Sequence, residues 1–349
     1  MNSLPANNPD WLVKKIIQMG GTISFYDYMN FVLNDPINGY YGSGKAKLGV
    51  RGDFVTSSSL SDDFAFLVGR QIEEWLIQFK SIFLSNQKLA VIEFGAGDGS
   101  FMCGLIKYLL GSSKSFLKGV SFIIIEPNKG MVEKQKNKLE DFLNLGIDIL
   151  WKGLEEIEEN NINGIVIANE VLDALPVERI TFSKEKLFRQ AVSIDKESDR
   201  LSLDEMPITS ELEKSIELAK SELGITIPPK DALEGWTTEW HVDNSEWLKA
   251  LYGKINNGIL LIIDYAKEAE KYYTSRNSDG TIVAYKNQKM IPDVLDSPGN
   301  CDLTSHVCVE TLINDAENIG FNTVGITKQG EALLALGLAE RLYGIQKEF

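Results

Sequence analysis

The stretch Val91-Ile92-Glu93-Phe94-Gly95-Ala96-Gly97-Asp98-Gly99 constrains the fold more than any other part of the chain. An apolar run ends there in three glycines at alternate positions, and an amphipathic run, Ser100–Leu110, follows. This is the pattern of a buried strand that turns sharply into a helix. Glycine is required where the backbone visits positive φ, and where a side chain would collide with a ligand lying on the main chain. The spacing is G-x-G-x-G, and Ser100 stands where the dinucleotide fingerprint G-x-G-x-x-G has its third glycine. That departure moves weight from NAD toward S-adenosylmethionine (SAM).

The surrounding sequence fits a doubly wound sheet. Apolar runs at Leu89–Phe94, Phe122–Ile125, Ile147–Trp151, Gly164–Ala168 and Gly258–Asp264 read as strands. Amphipathic segments such as Lys129–Leu143 lie between them, and this alternation is the signature of a parallel α/β sheet. The expected fold is therefore α/β, a Rossmann-like class I sheet with an N-terminal helical cap and an inserted α+β module. The expected divisions are 1–80 for the cap, 81–179 and 254–349 for the core, and 180–253 for the insertion. The insertion follows from the long gap between the fourth and fifth strands, which exceeds any simple crossover. It holds strand-like runs at Ile180–Phe182, Lys186–Ile194 and Arg200–Leu203, and a charged helix at Thr209–Leu223. Upstream, Trp11–Met19 and Ser24–Leu33 read as helices, the second capped by Ser24, and Leu60–Phe79 has helical periodicity. Downstream, Thr311–Ile326 reads as a helix and a final strand, and Ala332–Tyr343 as a helix.

Charge and cysteine usage exclude several classes. The net charge of -15 argues against general nucleic-acid affinity, which rests on Lys and Arg contacts to phosphate. The same field would tolerate or attract a basic protein substrate, although the plainer reading of an acidic surface is that it keeps the protein soluble. Cys103, Cys301 and Cys308 are too few and scattered for a disulfide framework, and only two histidines, His241 and His306, are present. No metal site is expected. With no apolar run long enough to span a bilayer and no visible secretory signal, the expectation is a cytoplasmic protein.

Candidate site residues follow from strand ends. Glu126 closes the second strand, where a carboxylate can accept hydrogen bonds from both hydroxyls of a ribose, in NAD or SAM alike. Asn169, Glu170 and Asp173 crowd the end of the fourth strand. There they can hold an amine or guanidinium and direct its lone pair at a methyl group, so all three are catalytic candidates. Glu170 is the better one, since Asp173 or Asn169 could instead cap a helix starting near Ala174. Tyr265, Asp302 and His306 are candidates for the substrate pocket, although a lone histidine such as His306 reads more readily as a structural hydrogen-bonder. Gly52-Asp53-Phe54-Val55-Thr56-Ser57 could fold over the cofactor, or form a plain turn.

Taken in order, these strings resemble the MidA family, which includes a mitochondrial complex I assembly factor with methyltransferase activity. The matching strings are Asn38-Gly39-Tyr40-Tyr41, Gly52–Ser57, Glu93–Gly99, Asn169-Glu170-x-x-Asp173-Ala174-Leu175-Pro176, Asp264-Tyr265 and Pro298-Gly299-x-x-Asp302-Leu303-Thr304-x-His306-Val307. The resemblance implies a SAM-dependent protein arginine methyltransferase whose partner is a protein, in mitochondria a subunit of the respiratory NADH dehydrogenase. It implies that the loop from Glu93 through Gly95, Ala96, Gly97 and Gly99 holds the methionine part of SAM and that Glu126 holds the ribose. Asp53 and Thr56 would approach from above, and Asn169 and Glu170 would line the reaction centre. The sequence departs from the family pattern at Ser58-Ser59, Gln288 and Lys328. Those departures motivate an alternative, a non-catalytic SAM-fold assembly factor that binds a partner. A homodimer is left open.

Overall fold

The computed structural model describes residues 8–47, 49, 52–53, 62–82, 88–112, 117–195 and 200–348. The chain opens with α1 (Asp10–Gln18), β1 (Thr22–Ser24) and α2 (Phe25–Asn34), then α3 (Asp62–Ile82). Strands and helices next alternate: β2 (Leu89–Phe94), α4 (Ser100–Ser112), β3 (Val120–Ile125), α5 (Lys129–Asn144), β4 (Ile149–Lys152) and β5 (Ile162–Asn169). An antiparallel stretch follows with β6 (Glu178–Ser183), β7 (Lys186–Ile194), β8 (Leu201–Pro207), α6 (Ser210–Leu223) and β9 (Thr237–Trp240). After α7 (Asn244–Lys254) come β10 (Ile255–Ile263), β11 (Ala266–Lys267), α8 (Ala269–Tyr272), β12 (Val283–Lys286), β13 (Lys289–Ile291), β14 (Asp302–Thr304) and β15 (Val307–Cys308). The chain closes with α9 (Val309–Ile319), α10 (Gln329–Ala335) and α11 (Leu338–Glu348).

Two compact units form. One comprises Lys47–Val171, Ala250–Ile263 and Asn322–Phe349; the other runs to Ala46 and includes Leu172–Lys249 and Asp264–Phe321. The first is built on a parallel sheet of order β10-β5-β2-β3-β4. Its central strands are near-continuous apolar runs because helices cover both faces. Val91, Phe122, Ile124, Ile165 and Ile167 pack with Ile72 and Leu76 of α3, Phe101 and Leu105 of α4 and Leu139 of α5. Parallel pairing of these apolar strands accounts for the Rossmann-like fold. The apolar periodicity of α3 is realised as Phe64, Leu67, Val68, Ile72 and Leu76 on its buried side.

The second unit carries an antiparallel sheet, β1-β7-β6-β9, with β8 also on β7. Helix α6 is capped by Thr209, whose Oγ1 accepts from the Leu212 N–H at 3.2 Å, and it stops at Gly224 with φ +70°. At the head of α2 the Ser24 hydroxyl accepts from the Asp27 N–H at 3.0 Å and donates to its carboxylate at 2.6 Å. The centre of this unit is polar. Arg179 and Glu239 are both buried, 3.3 Å apart, and Arg179 also donates to Gln190 and Asp279. Glu239 accepts in addition from the Thr281 N–H at 2.7 Å, so the buried carboxylate is well supplied with donors.

Four expectations need correction. Thr22–Ser24 is a strand paired with β7, where the sequence suggested only helices; its partner lies about 170 residues away, beyond local periodicity. No α-helix begins at Ala174: Leu172–Ala174 is a single 3-10 turn, because the chain enters β6 at once. No final strand forms before Ile326. Helix α9 ends at Ile319, and Asn322–Lys328 is neither helix nor strand, with every residue exposed. A strand needs a ladder partner, and this segment makes none among the described residues. The last helix is also broken in two at Gly337, φ +97°, where a Cβ would collide with the Arg70 guanidinium.

Candidate active site

Sheet register sets the site in the parallel unit. Phe94 of β2 lies opposite Ile125 of β3 and Ala168 of β5, and Asn169 lies opposite Ile263 of β10. The residues that follow β2, β3 and β5 therefore leave the sheet level with one another, at its carboxyl edge. They do so beside β2, where the strand order reverses and open parallel sheets bind ligands. Gly95, Gly97 and Gly99 all have positive φ, +62°, +53° and +84°. A Cβ at Gly99 would come within 3.3 Å of the Gln135 backbone, so this turn is closed to larger residues. Asp98 accepts from the Ser100 N–H at 3.0 Å, and its other oxygen meets Lys138 at 2.5 Å, which fixes the start of α4. Ala96 is buried inside the turn.

Two buried carboxylates flank this loop. Glu93 accepts from the Met102 backbone N–H, yet its Oε2 is buried with no partner among the described residues. Burial, helped by the nearby Asp98 and Glu126 charges, pushes its carboxyl up to about 8. Glu126 accepts from the Asn128 N–H at 2.9 Å and from Gln135 Nε2 at 2.8 Å. Burial outweighs both bonds and raises its carboxyl to about 7. The loop is thus an electronegative, desolvated cradle short of donors.

At the end of β5, Asn169 Oδ1 is a second buried acceptor without a partner among the described residues. Glu170 follows with φ +53°, a left-handed conformation uncommon for a residue with a side chain. Its N–H donates to Ile263 O at 2.8 Å, which holds that conformation against β10. Asp53 is buried, and its N–H donates to Lys47 O at 2.7 Å. Lys134 of α5 feels both Lys47 and Asp98, so this strap runs near the loop side of α5. Thr56 lies outside the described residues.

The remaining candidates belong to the antiparallel unit. Asp173 and Asp302 are both buried and gather around Tyr41, whose hydroxyl donates to Asp302 Oδ1 at 2.8 Å. Burial and the two carboxylates hold the Tyr41 phenol well above its ordinary range. The Asp173 carbonyl accepts from the Ser305 N–H at 2.9 Å. Tyr265 is half exposed and meets the His306 ring edge-on, centroids 6.5 Å apart. The His306 backbone is fixed from two sides: its N–H donates to Thr281 Oγ1 at 3.0 Å, and its carbonyl accepts from His241 Nε2 at 2.8 Å. Burial lowers the His306 imidazole, aided by Lys267. Asp264 accepts from the Leu172 N–H at 2.8 Å and so pins the 3-10 turn.

Two residues escaped sequence reasoning. Gln135 is fully buried; its Nε2 donates to Gly97 O at 2.9 Å and to Glu126, and its Oε1 accepts from Trp151 Nε1 at 3.1 Å. It ties loop, ribose candidate and β4 together. A glutamine on the apolar stripe of α5, level with Met131 and Leu139, was the available signal. Tyr41 is the second, hidden because its partner is far along the chain.

The donor set suits SAM. Glu93 Oε2 and Asn169 Oδ1 are acceptors awaiting donors, and the three glycines put no side chain between the turn and a ligand. The family model that describes S-adenosyl-L-methionine-dependent methyltransferases matches residues 67–327. The chain belongs to that family. It is a SAM-dependent methyltransferase. Curated relatives agree: it is 26% identical to the "Protein arginine methyltransferase NDUFAF7 homolog, mitochondrial" of Caenorhabditis elegans, over 95% of this chain and 76% of that one. It is 27% identical to the "Protein arginine methyltransferase NDUFAF7, mitochondrial" of Homo sapiens, over 97% of this chain and 76% of the relative. The fold also resembles a crystal structure of a COG1565 superfamily member from Burkholderia thailandensis bound to S-adenosyl-homocysteine. That likeness has a TM-score of 0.81 at 28% identity and covers 98% of this chain and 86% of the other.

Proposed function

We propose that this methyltransferase acts on arginine side chains of a protein, and that its target is a subunit of an NADH dehydrogenase-type respiratory complex. The observation that carries the reading is the pair of relatives above, which are similar along nearly the whole chain and are called protein arginine methyltransferases. Acidic groups at the end of β5 support it. In the proposal the glycine loop and Glu93 hold the methionine part of SAM, Glu126 its ribose, and Asn169 the neighbourhood of the methyl group; Asp53 and Thr56 close over it. The cofactor supplies an activated methyl group on a sulfonium. Glu170 engages the substrate guanidinium by charge-assisted hydrogen bonds and accepts the proton released when its nitrogen becomes methylated. Asp173, Tyr265, Asp302 and His306 shape the acceptor pocket, with Asp173 chiefly structural. The net charge of -15 favours approach of a cationic segment.

The test compares cells that express the wild type with cells that express Glu170→Gln. Methylarginine at one or a few protein sites should fall at least tenfold in the variant, with SAM binding retained. Unchanged methylarginine, or a methyl group found on lysine or a small molecule, would overturn the reading.

A further inference from the structure

The antiparallel unit buries a cluster of polar atoms that the described residues do not satisfy. The cluster lies where the turn from β9 into α7, His241–Asn244, meets Ser305-His306, the link between β14 and β15. His241 Nε2 stands 2.8 Å from the His306 carbonyl, which can only accept, so Nε2 carries the ring proton. Nδ1 of the neutral ring is then a bare lone pair, buried and without a partner among the described residues. Burial pushes the imidazole below its ordinary value, so the ring is neutral at neutral pH. Two neighbouring side chains share this condition. Ser305 is 2% exposed and Asn244 1%, yet Ser305 Oγ and both amide atoms of Asn244 also lack partners among the described residues.

Buried polar atoms are nearly always hydrogen-bonded, so four orphans on two adjoining connections point to a ligand that completes them. The backbone that carries them is fixed. The Ser305 N–H donates to Asp173 O at 2.9 Å, the His306 N–H to Thr281 Oγ1 at 3.0 Å, and the Tyr26 hydroxyl to Asp243 Oδ2 at 2.9 Å. The orphans are thus held in place in advance, as a binding site requires. Tyr265, half exposed, meets the His306 ring edge-on, so the cluster borders the surface of the unit. The chemistry of the set selects its ligand. His241 Nδ1 and Asn244 Oδ1 are neutral acceptors, and the Ser305 hydroxyl can accept as well. An ammonium is compact and strongly hydrated, and loses most on entering such a place. A guanidinium is delocalised and weakly hydrated, and it spreads five N–H donors over a plane. Several fixed neutral acceptors therefore suit arginine and reject lysine.

We propose that His241, Asn244 and Ser305 form the recess that selects arginine as the methyl acceptor, with His241 Nδ1 and Ser305 Oγ accepting N–H groups of its guanidinium. This rests on the arginine reading above and adds to it the residues that set the choice. His241 is a specificity residue, and the proton released on methylation still goes to Glu170.

Isotopic labelling of the histidine ring nitrogens, read by NMR on the full chain loaded with S-adenosyl-homocysteine, tests this. The chain has only two histidines, so each ring is read without overlap. N-acetyl-L-arginine amide should move the His241 Nδ1 resonance upfield, as it gains a hydrogen bond, and leave Nε2 in place. N-acetyl-L-lysine amide should move neither. His241→Gln keeps a donor for the His306 carbonyl but loses the Nδ1 acceptor, and should bind the arginine probe about tenfold more weakly with SAM affinity unchanged. His241→Asn keeps an acceptor in place of Nδ1 and should restore most of that binding; a ring that merely held His306 would give the reverse order. Should either variant fail to fold, the wild-type titration decides. An Nδ1 signal unmoved up to the solubility limit of the arginine probe overturns the proposal, as do equal shifts with both probes. The two readings fail separately. Methylarginine in cells with an unmoved Nδ1 sinks the recess alone, whereas failure of the arginine reading shows as methyl transfer to another kind of group, whatever Nδ1 does.

Discussion

Gln135→Leu would separate cofactor positioning from packing. Leucine keeps most of the volume but removes both donations, to Gly97 O at 2.9 Å and to Glu126 Oε2 at 2.8 Å, and the acceptor for Trp151 Nε1. Neutral hydrogen bonds contribute about 1 kcal/mol each and one to a carboxylate about 1.5–3. The buried groups left behind are not re-solvated, so the unliganded protein should lose about 3–5 kcal/mol. If the side chain also fixes the loop and Glu126 for the cofactor, SAM should bind about 10–100-fold more weakly, a loss of about 1.4–2.8 kcal/mol. A third signature belongs to positioning alone. Gln135 favours the charged form of Glu126, whose carboxyl already stands at about 7. Without it that value climbs further, and the pH at which SAM affinity is half developed shifts to the alkaline side. Isothermal titration from pH 6 to 9, beside thermal unfolding, reads all three. A variant that loses stability but binds SAM within twofold of the wild type, with an unmoved pH midpoint, would refute the reasoning.

Other outcomes follow from single features. For the wild type, Glu93 at about 8 and Glu126 at about 7 are raised above their ordinary values, so the folded state binds their protons more tightly than the unfolded state. Their stabilisation is full below about pH 4.5 and fades as pH rises through 7 to 8; melting curves should show the unliganded protein weakening across that window, and SAM affinity rising across it as the cradle ionises. Glu170→Gly should relieve the left-handed strain and raise stability by up to about 1 kcal/mol, while methyl transfer falls at least a hundredfold; matched losses of both would contradict the assignment. Arg179→Met leaves Glu239 buried without its cation, and chemical denaturation should show about 3–5 kcal/mol lost, most of it restored in Arg179→Met/Glu239→Gln. Arg341→Ala removes the 2.7 Å ion pair to Asp63 and the stacking on Phe66; hydrogen exchange should show α11 opening with SAM affinity untouched.

What could be read in advance was whatever a single element encodes. The parallel strands announce themselves as apolar runs, the glycine turn by its spacing, and α6 by its charged run from Thr209 to Leu223, since each signal lies within one element. What escaped depends on pairing across the chain. Thr22–Ser24 is a strand only because β7 is there to receive it, and Gln135 reads as a helix-face polar residue until Gly97 and Glu126 are brought to it. The segment Asn322–Lys328 is the inverse case. Its sequence carries the strand pattern, but its own chain supplies no ladder partner among the described residues, and pattern without partner is not yet a strand.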